Sequence, residues 1–183
     1  MNNKLVINSP FSETTKAHLQ KLTETKEFRG ETYTYEHINY RCDETGLEFT
    51  TDEMDFDNLE RVYSQYRAKH NIPSPRELTE IREMYGLSAA KMSEILGIGT
   101  NQYRLYEDGV MPSEAIGKML RSIQTPAVFL GYVEGCKNQM PEAEYNKLCQ
   151  KIQKHLIQDL KKSNSISWFR ELFSPRVLGK VAL

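Results

Sequence analysis

The 183-residue sequence predicts an α+β protein, with a small β-rich N-terminal module followed by an all-α domain and a helical C-terminal extension. Three observations predict it. Residues alternate in character through Tyr33-Thr34-Tyr35 and Ile38-Asn39-Tyr40-Arg41-Cys42, the period-two pattern of strands. The run Asn71-Ile72-Pro73-Ser74-Pro75 then interrupts the chain, because each proline disfavours helical geometry in the residue before it. Beyond that run, capping residues and glycines recur at the spacing of short helices as far as Ile123.

Taken in order, residues from Leu5 to about Thr51 are strand-like and polar, with turns at Arg29-Gly30 and Thr45-Gly46. Ser12 to about Lys26 shows no clear period and reads as a short helix or a loop. A helix follows, capped by Thr51 or Asp52, with Leu59, Val62, Tyr63 and Tyr66 at helical spacing. The acidic residues Asp52, Glu53, Asp55 and Asp57 favour its N-terminal dipole rather than forming a metal site. Residues 1–70 form the first module, 71–75 a linker, 76–137 the helical domain and 138–183 the extension.

Within the helical domain, Pro75 suits a first helical turn and Gly86 a left-handed exit. Ser88 caps a second helix that Gly97 ends. Ile98-Gly99-Thr100 makes a three-residue turn, and a third helix begins near Asn101. Two helices joined by so short a glycine-containing turn have helix-turn-helix geometry. Leu78, Ile81, Leu87, Met92, Leu96, Ile98 and Tyr103 supply a core, closed by Ile116, Met119, Leu120 and Ile123. Ala89, Ala90 and Ser93 are small enough to let the third helix approach the second. Thr100, Asn101, Gln102 and Arg104 stay polar near the start of that third helix, the end that meets base edges in a major groove. Together with Ser88 and Lys91 they are the candidate DNA-binding residues. The competing reading is a plain helical bundle.

The stretch from Leu87-Ser88 through Ser93-Glu94-Ile95 to Tyr106-Glu107-Asp108-Gly109, with Pro112 and Ile116 to Leu120-Arg121, resembles the Xre-type helix-turn-helix. More narrowly it resembles the C-terminal domain of MqsA-type antitoxins, in which a Gly-rich turn precedes a recognition helix carrying Asn; Gly97-Ile98-Gly99-Thr100-Asn101 matches it. The chain departs from that family at Leu105, where the family has Arg, and at Ala89, where many relatives have Gln. Arg104 lies about 100° away from position 105 on an ideal helix. The resemblance extends to the N-terminal half. MqsA-type proteins carry two CxxC zinc knuckles with Phe-Arg-Gly between them, and Phe28-Arg29-Gly30 stands in the matching place. The knuckle positions hold Ser9-Pro10-Phe11-Ser12 and Cys42-Asp43-Glu44-Thr45. Three of those four ligand positions are hydroxyl residues, poor ligands for zinc. The expectation is therefore no metal, with knuckles held by hydrogen bonds and by packing of Phe11, Phe28, Tyr35, Tyr40 and Phe49.

The extension falls outside the resemblance. Tyr145, Leu148, Ile152, Leu156 and Leu160 form an apolar stripe that must pack on something: this chain's own helices, in cis or across a dimer, or a partner protein. Trp168-Phe169, Leu172-Phe173 and Val177-Leu178 follow it.

Composition excludes several classes. Hydrophobic residues make up 39% and charged residues 27%, as in a globular chain. Cys42, Cys136 and Cys149 are too few and too widely spaced for a disulfide framework. No run reaches the roughly 18 apolar residues of a membrane span, and the N-terminus has no signal-peptide h-region, so a cytoplasmic location is expected. The net charge of −1 is unevenly spread: −4 over residues 1–74, −1 over 75–125 and +5 over 137–183. The middle segment thus lacks the basic excess that nucleic-acid binders commonly show. Without a Gly-rich phosphate loop, HExxH or GxSxG motif, the chain reads as a non-enzyme needing no cofactor. The expected partners are double-stranded DNA, a second copy in a homodimer and, by the resemblance, a toxin protein, the chain being antitoxin and autorepressor of a toxin–antitoxin operon. The alternative is a protein-binding module that kept the fold and lost DNA binding.

Overall fold

A computed structural model describes residues 5–162 apart from residue 13; Trp168 and the apolar pairs after it lie outside the described residues. The fold is α+β, a four-stranded antiparallel sheet followed by helices. It divides into two compact units between Asn71 and Ile72.

In the first unit the strands β1 (Val6–Asn8), β2 (Lys16–Phe28), β3 (Glu31–Cys42) and β4 (Glu48–Phe49) form a meander in chain order. The two turns expected from sequence are present. Arg29 (φ 52°) and Gly30 (φ 79°) are both left-handed, the two-residue turn whose twist matches the flanking strands. Gly46 (φ 70°) makes the second. The segment read as a short helix or a loop is instead β2, paired with β3 from Ala17↔Cys42 to Phe28↔Glu31. Most of β2 is exposed on both faces, so no apolar alternation betrays it.

Helix α1 (Asp52–His70) is capped by Thr51, whose side chain accepts from the Met54 amide at 3.3 Å, and it ends on left-handed Asn71. Met54 joins Ala17, Ile38 and Tyr40 in a small core. Farther along α1, Tyr63 packs tilted and Tyr66 edge-on against Phe28, with ring centroids 4.7 and 5.0 Å away. Between these contacts α1 serves the outer edge of β3: buried Asn58 donates to the Ile38 carbonyl (2.8 Å) and accepts from its amide (2.9 Å). Gln65 donates to the Thr34 carbonyl.

The second unit contains α2 (Pro75–Tyr85), α3 (Ala89–Leu96), α4 (Gln102–Glu107), α5 (Glu114–Ser122), α6 (Pro126–Gly135) and α7 (Glu142–Lys162). Leu78, Ile81, Met92, Leu96, Tyr103, Leu120 and Ile123 form its core as expected, joined by Tyr85, Ile95, Phe129 and Val133. Leu87, Ile98, Ile116 and Met119 are only partly buried at its margin. The stripe on α7 packs in cis, with Leu148 and Ile152 inside this same core, while Leu160 is exposed. The stretch read as a linker is also packed: Ile72 and Pro73 are fully buried, and a Cβ on Gly117 would meet Ile72 Cγ1 at 2.5 Å. Ser74 caps α2 through a reciprocal pair with Glu77, whose carboxylate also takes a forked contact from Arg121 of α5 (2.7 and 3.3 Å). Among the described residues no helix is long and apolar enough to cross a membrane.

Candidate nucleic-acid interface

The site is built on three local signals. Gly86 and Gly97, both left-handed, end α2 and α3, and Ser88 caps α3 by accepting from the Lys91 amide at 3.1 Å. These agree with the sequence reading. The turn through Ile98, Gly99 (φ 99°) and Thr100 then leads to Asn101, which is itself left-handed (φ 59°), so α4 starts one residue later than expected.

The cap of α4 comes from another helix. Asn101 makes no side-chain cap bond. The Tyr103 amide instead donates to Ser93 Oγ of α3 at 2.9 Å, while Ser93 donates to the Ala89 carbonyl within its own helix. The Tyr103 hydroxyl donates to the Leu78 carbonyl of α2 at 2.8 Å. Tyr103 is fully buried, and burial raises its pKa well above the ordinary range. One residue, through its backbone amide and its hydroxyl, thus pins α4 to both preceding helices. Serine at 93 reads from sequence as a small packing residue; its role as a cap depends on tertiary contact.

With Tyr103 inside, Thr100, Asn101 and Arg104 are exposed and Gln102 is half-buried. A cleft of about 450 Å³ lies beside them, lined by Ala90, Ser93, Glu94, Gly97, Gly99, Thr100 and Asn101. Of the six predicted residues, Thr100, Asn101, Gln102 and Arg104 gather at the start of α4, with Thr100 and Asn101 lining the cleft, whereas Ser88 and Lys91 lie at the start of α3 and do not line it. Lys91 is mostly covered, and its ammonium sits 3.0 Å from Glu94 and 3.2 Å from Glu144 of α7. Burial opposes its charge, yet the two carboxylates raise its pKa. It is committed to the protein. Arg104 remains exposed, with Asp108 at 3.8 Å. Leu105 is 41% exposed and Val110 51% exposed. The face is polar at the α4 start, nearly balanced in charge, and apolar further on.

At the knuckle positions the hydroxyls do bond. Ser9 and Thr45 side chains contact the buried Cys42 thiol and lower its pKa to about 7. Ser12 donates to Thr15 (3.0 Å), and Thr15 donates to Glu44 (2.6 Å), tying the two loops together. Phe11 and Tyr40 pack on Phe49. Phe28 and Tyr35 do not belong there: Phe28 packs on α1 at the far end of the hairpin, and Tyr35 bonds Glu24 across β2 and β3. Among the described residues, no group of three or more His, Cys, Asp or Glu side chains is placed to hold a metal ion. No family model matches the chain, and neither does any curated protein or solved structure.

Proposed function

We propose that this chain is a non-enzymatic, cytoplasmic, sequence-specific DNA-binding regulator whose helix α4 enters the major groove as a homodimer. The observation that supports it is the division of labour at the start of α4. Because Ser93 caps the helix, the Asn101 amide is not consumed by capping and stays exposed beside Thr100 and Arg104. An outward asparagine can make a bidentate pair with N6 and N7 on the major-groove edge of an adenine. Ser88 sits at the N-terminus of α3, where a backbone amide can meet phosphate. Following the resemblance, the regulator would act as antitoxin and autorepressor beside a toxin gene.

The test is an anisotropy titration against DNA from upstream of its own gene, with unrelated DNA as the comparison, at physiological salt. Asn101→Gly keeps the left-handed backbone while deleting the amide, and should cost about 1–3 kcal/mol of specific binding. Arg104→Ala should reduce the salt dependence of binding by about one ion. Equal affinity for both DNAs would refute the proposal. A second reading, a protein-binding module of the same fold, draws on the cancelled charges of Lys91 and Arg104 and the exposure of Leu105 and Val110. It predicts capture of the product of a neighbouring gene with no DNA preference.

A further inference from the structure

Among the described residues, the β2–β3 hairpin leaves one long backbone edge without a neighbour, and parity identifies the groups on it. The Leu19 amide donates to the Leu5 carbonyl on the β1 side, so odd-numbered residues of β2 turn their backbone away from β3. The cross-strand partners agree: Lys21 lies opposite Ile38, whose amide and carbonyl also turn outward, to Asn58. The register has no bulge as far as Phe28↔Glu31. Lys21, Thr23, Thr25 and Glu27 therefore present their N–H and C=O groups outward. All four residues are exposed, and no described backbone or side chain pairs those groups. The opposite edge is different, since β4 and the Asn58 and Gln65 side chains serve β3. An open row of paired-capable amides and carbonyls is a template for another strand.

We propose that this edge pairs antiparallel with the same edge of a second copy, with Thr23 opposite Thr25 and Lys21 opposite Glu27 of the other chain. Two constraints select this register. Hydrogen-bonded pairs must join outward-facing residues on both strands, and Leu19 is already occupied by Leu5. Sliding the strands by two residues one way sets Glu27 against the occupied Leu19; sliding them the other way sets Lys21 against the turn at Arg29, so either slide loses outer pairs. The selected register makes two Lys21–Glu27 contacts and two Thr23–Thr25 contacts about the two-fold axis, each of a favourable cross-strand type. On the other face Glu24 meets its own copy on the axis, a like-charge pair that costs some stability and is offset by Lys26 of each copy at the diagonal position. The dimer needs no DNA, so it stands or falls apart from the regulatory reading.

The experiment is sedimentation velocity on the full chain without DNA at tens of micromolar, where a dimer is expected. Thr25→Pro removes an outward amide that the monomer does not use, and edge strands accept proline at such positions. It should sediment as a monomer with an unchanged circular-dichroism spectrum. Lys21→Glu and Glu27→Lys should each weaken the dimer at least tenfold, and an equimolar mixture of the two should recover it, because both 21–27 contacts then join opposite charges. A wild-type monomer at that concentration overturns the proposal. So does a folded Thr25→Pro dimer, or a mixture that associates no better than its components; the charge variants decide the matter if the proline variant fails to fold.

Discussion

Replacing Ser93 by Ala isolates the contact that positions α4. In the native protein its hydroxyl accepts the Tyr103 amide at 2.9 Å, inside a core where Ser93 is 2% and Tyr103 0% exposed. Alanine keeps the Cβ and opens no large cavity, so the loss is confined to one buried donor. Leaving such a donor unpaired costs about 1–3 kcal/mol. Alanine's higher helix propensity returns about half a kcal/mol of that, for a net of about 0.5–2.5 kcal/mol. In a domain of 60–100 residues each kcal/mol moves Tm by about 4–8 °C, so a fall on the order of 2–20 °C is expected for the helical unit. The assay is thermal melting by circular dichroism, with hydrogen exchange reading the Tyr103 amide directly. That amide should lose protection even at temperatures where the core amides of α7 keep theirs. If Ser93→Ala melts within about 0.5 kcal/mol of wild type, as an ordinary surface change would, and Tyr103 stays protected, then α3 does not hold the start of α4.

The remaining predictions concern acid, metal and the extension. Arg121 first, then the Ser74 cap, hold Glu77 near a pKa of about 2 against an ordinary 4.5. Its contribution is full above pH 4.5 and is lost as pH falls toward 2, so the stability gap between wild type and Glu77→Gln should close over that window in pH-dependent denaturant melts; a gap independent of pH would refute it. Purified protein should carry no stoichiometric zinc by elemental analysis and keep its Tm in chelator, because hydroxyl bonds to Cys42 and the Thr15–Glu44 tie replace metal–thiolate bonds. Ile152→Ala should cost about 2–5 kcal/mol as a core truncation, whereas Ile157→Ala, at a 53% exposed position, should cost about 0.5 kcal/mol or less; equal effects would place α7 outside the core.

The legible parts of this fold are those whose signals are local in sequence. Thr51 and Ser88 cap the helices they precede, and Gly86 and Gly97 end the ones they follow, because a cap bonds an amide only three residues away. Strand β2 was illegible for the opposite reason: with Lys21, Thr23, Thr25 and Glu27 all facing water, no buried face imposes a period. At the candidate site, the outward placement of Thr100, Asn101 and Arg104 follows from Tyr103 being apolar enough to bury. The pairing of Lys91 with Glu144 could not be read locally, since Glu144 comes from α7, outside the stretch that suggested the helix-turn-helix. Glu77 was hidden similarly: its capping-box spacing is visible, but its Arg121 partner comes from α5.

The packing of Ile72 and Pro73 alters what the Asn71–Pro75 stretch can tolerate over evolutionary time. A solvated spacer accepts changes of length cheaply, since each doubling of a loop costs only about 0.6 kcal/mol. Here an inserted residue after Ile72 would drag its side chain off Gly117 or displace the Ser74 cap from α2. Lineages descended from this chain should therefore vary in length before Ile72 and stay fixed in length from Ile72 to Pro75. They should also keep glycine opposite the buried isoleucine, because a methyl group at 117 and an isoleucine at 72 cannot occupy the same space.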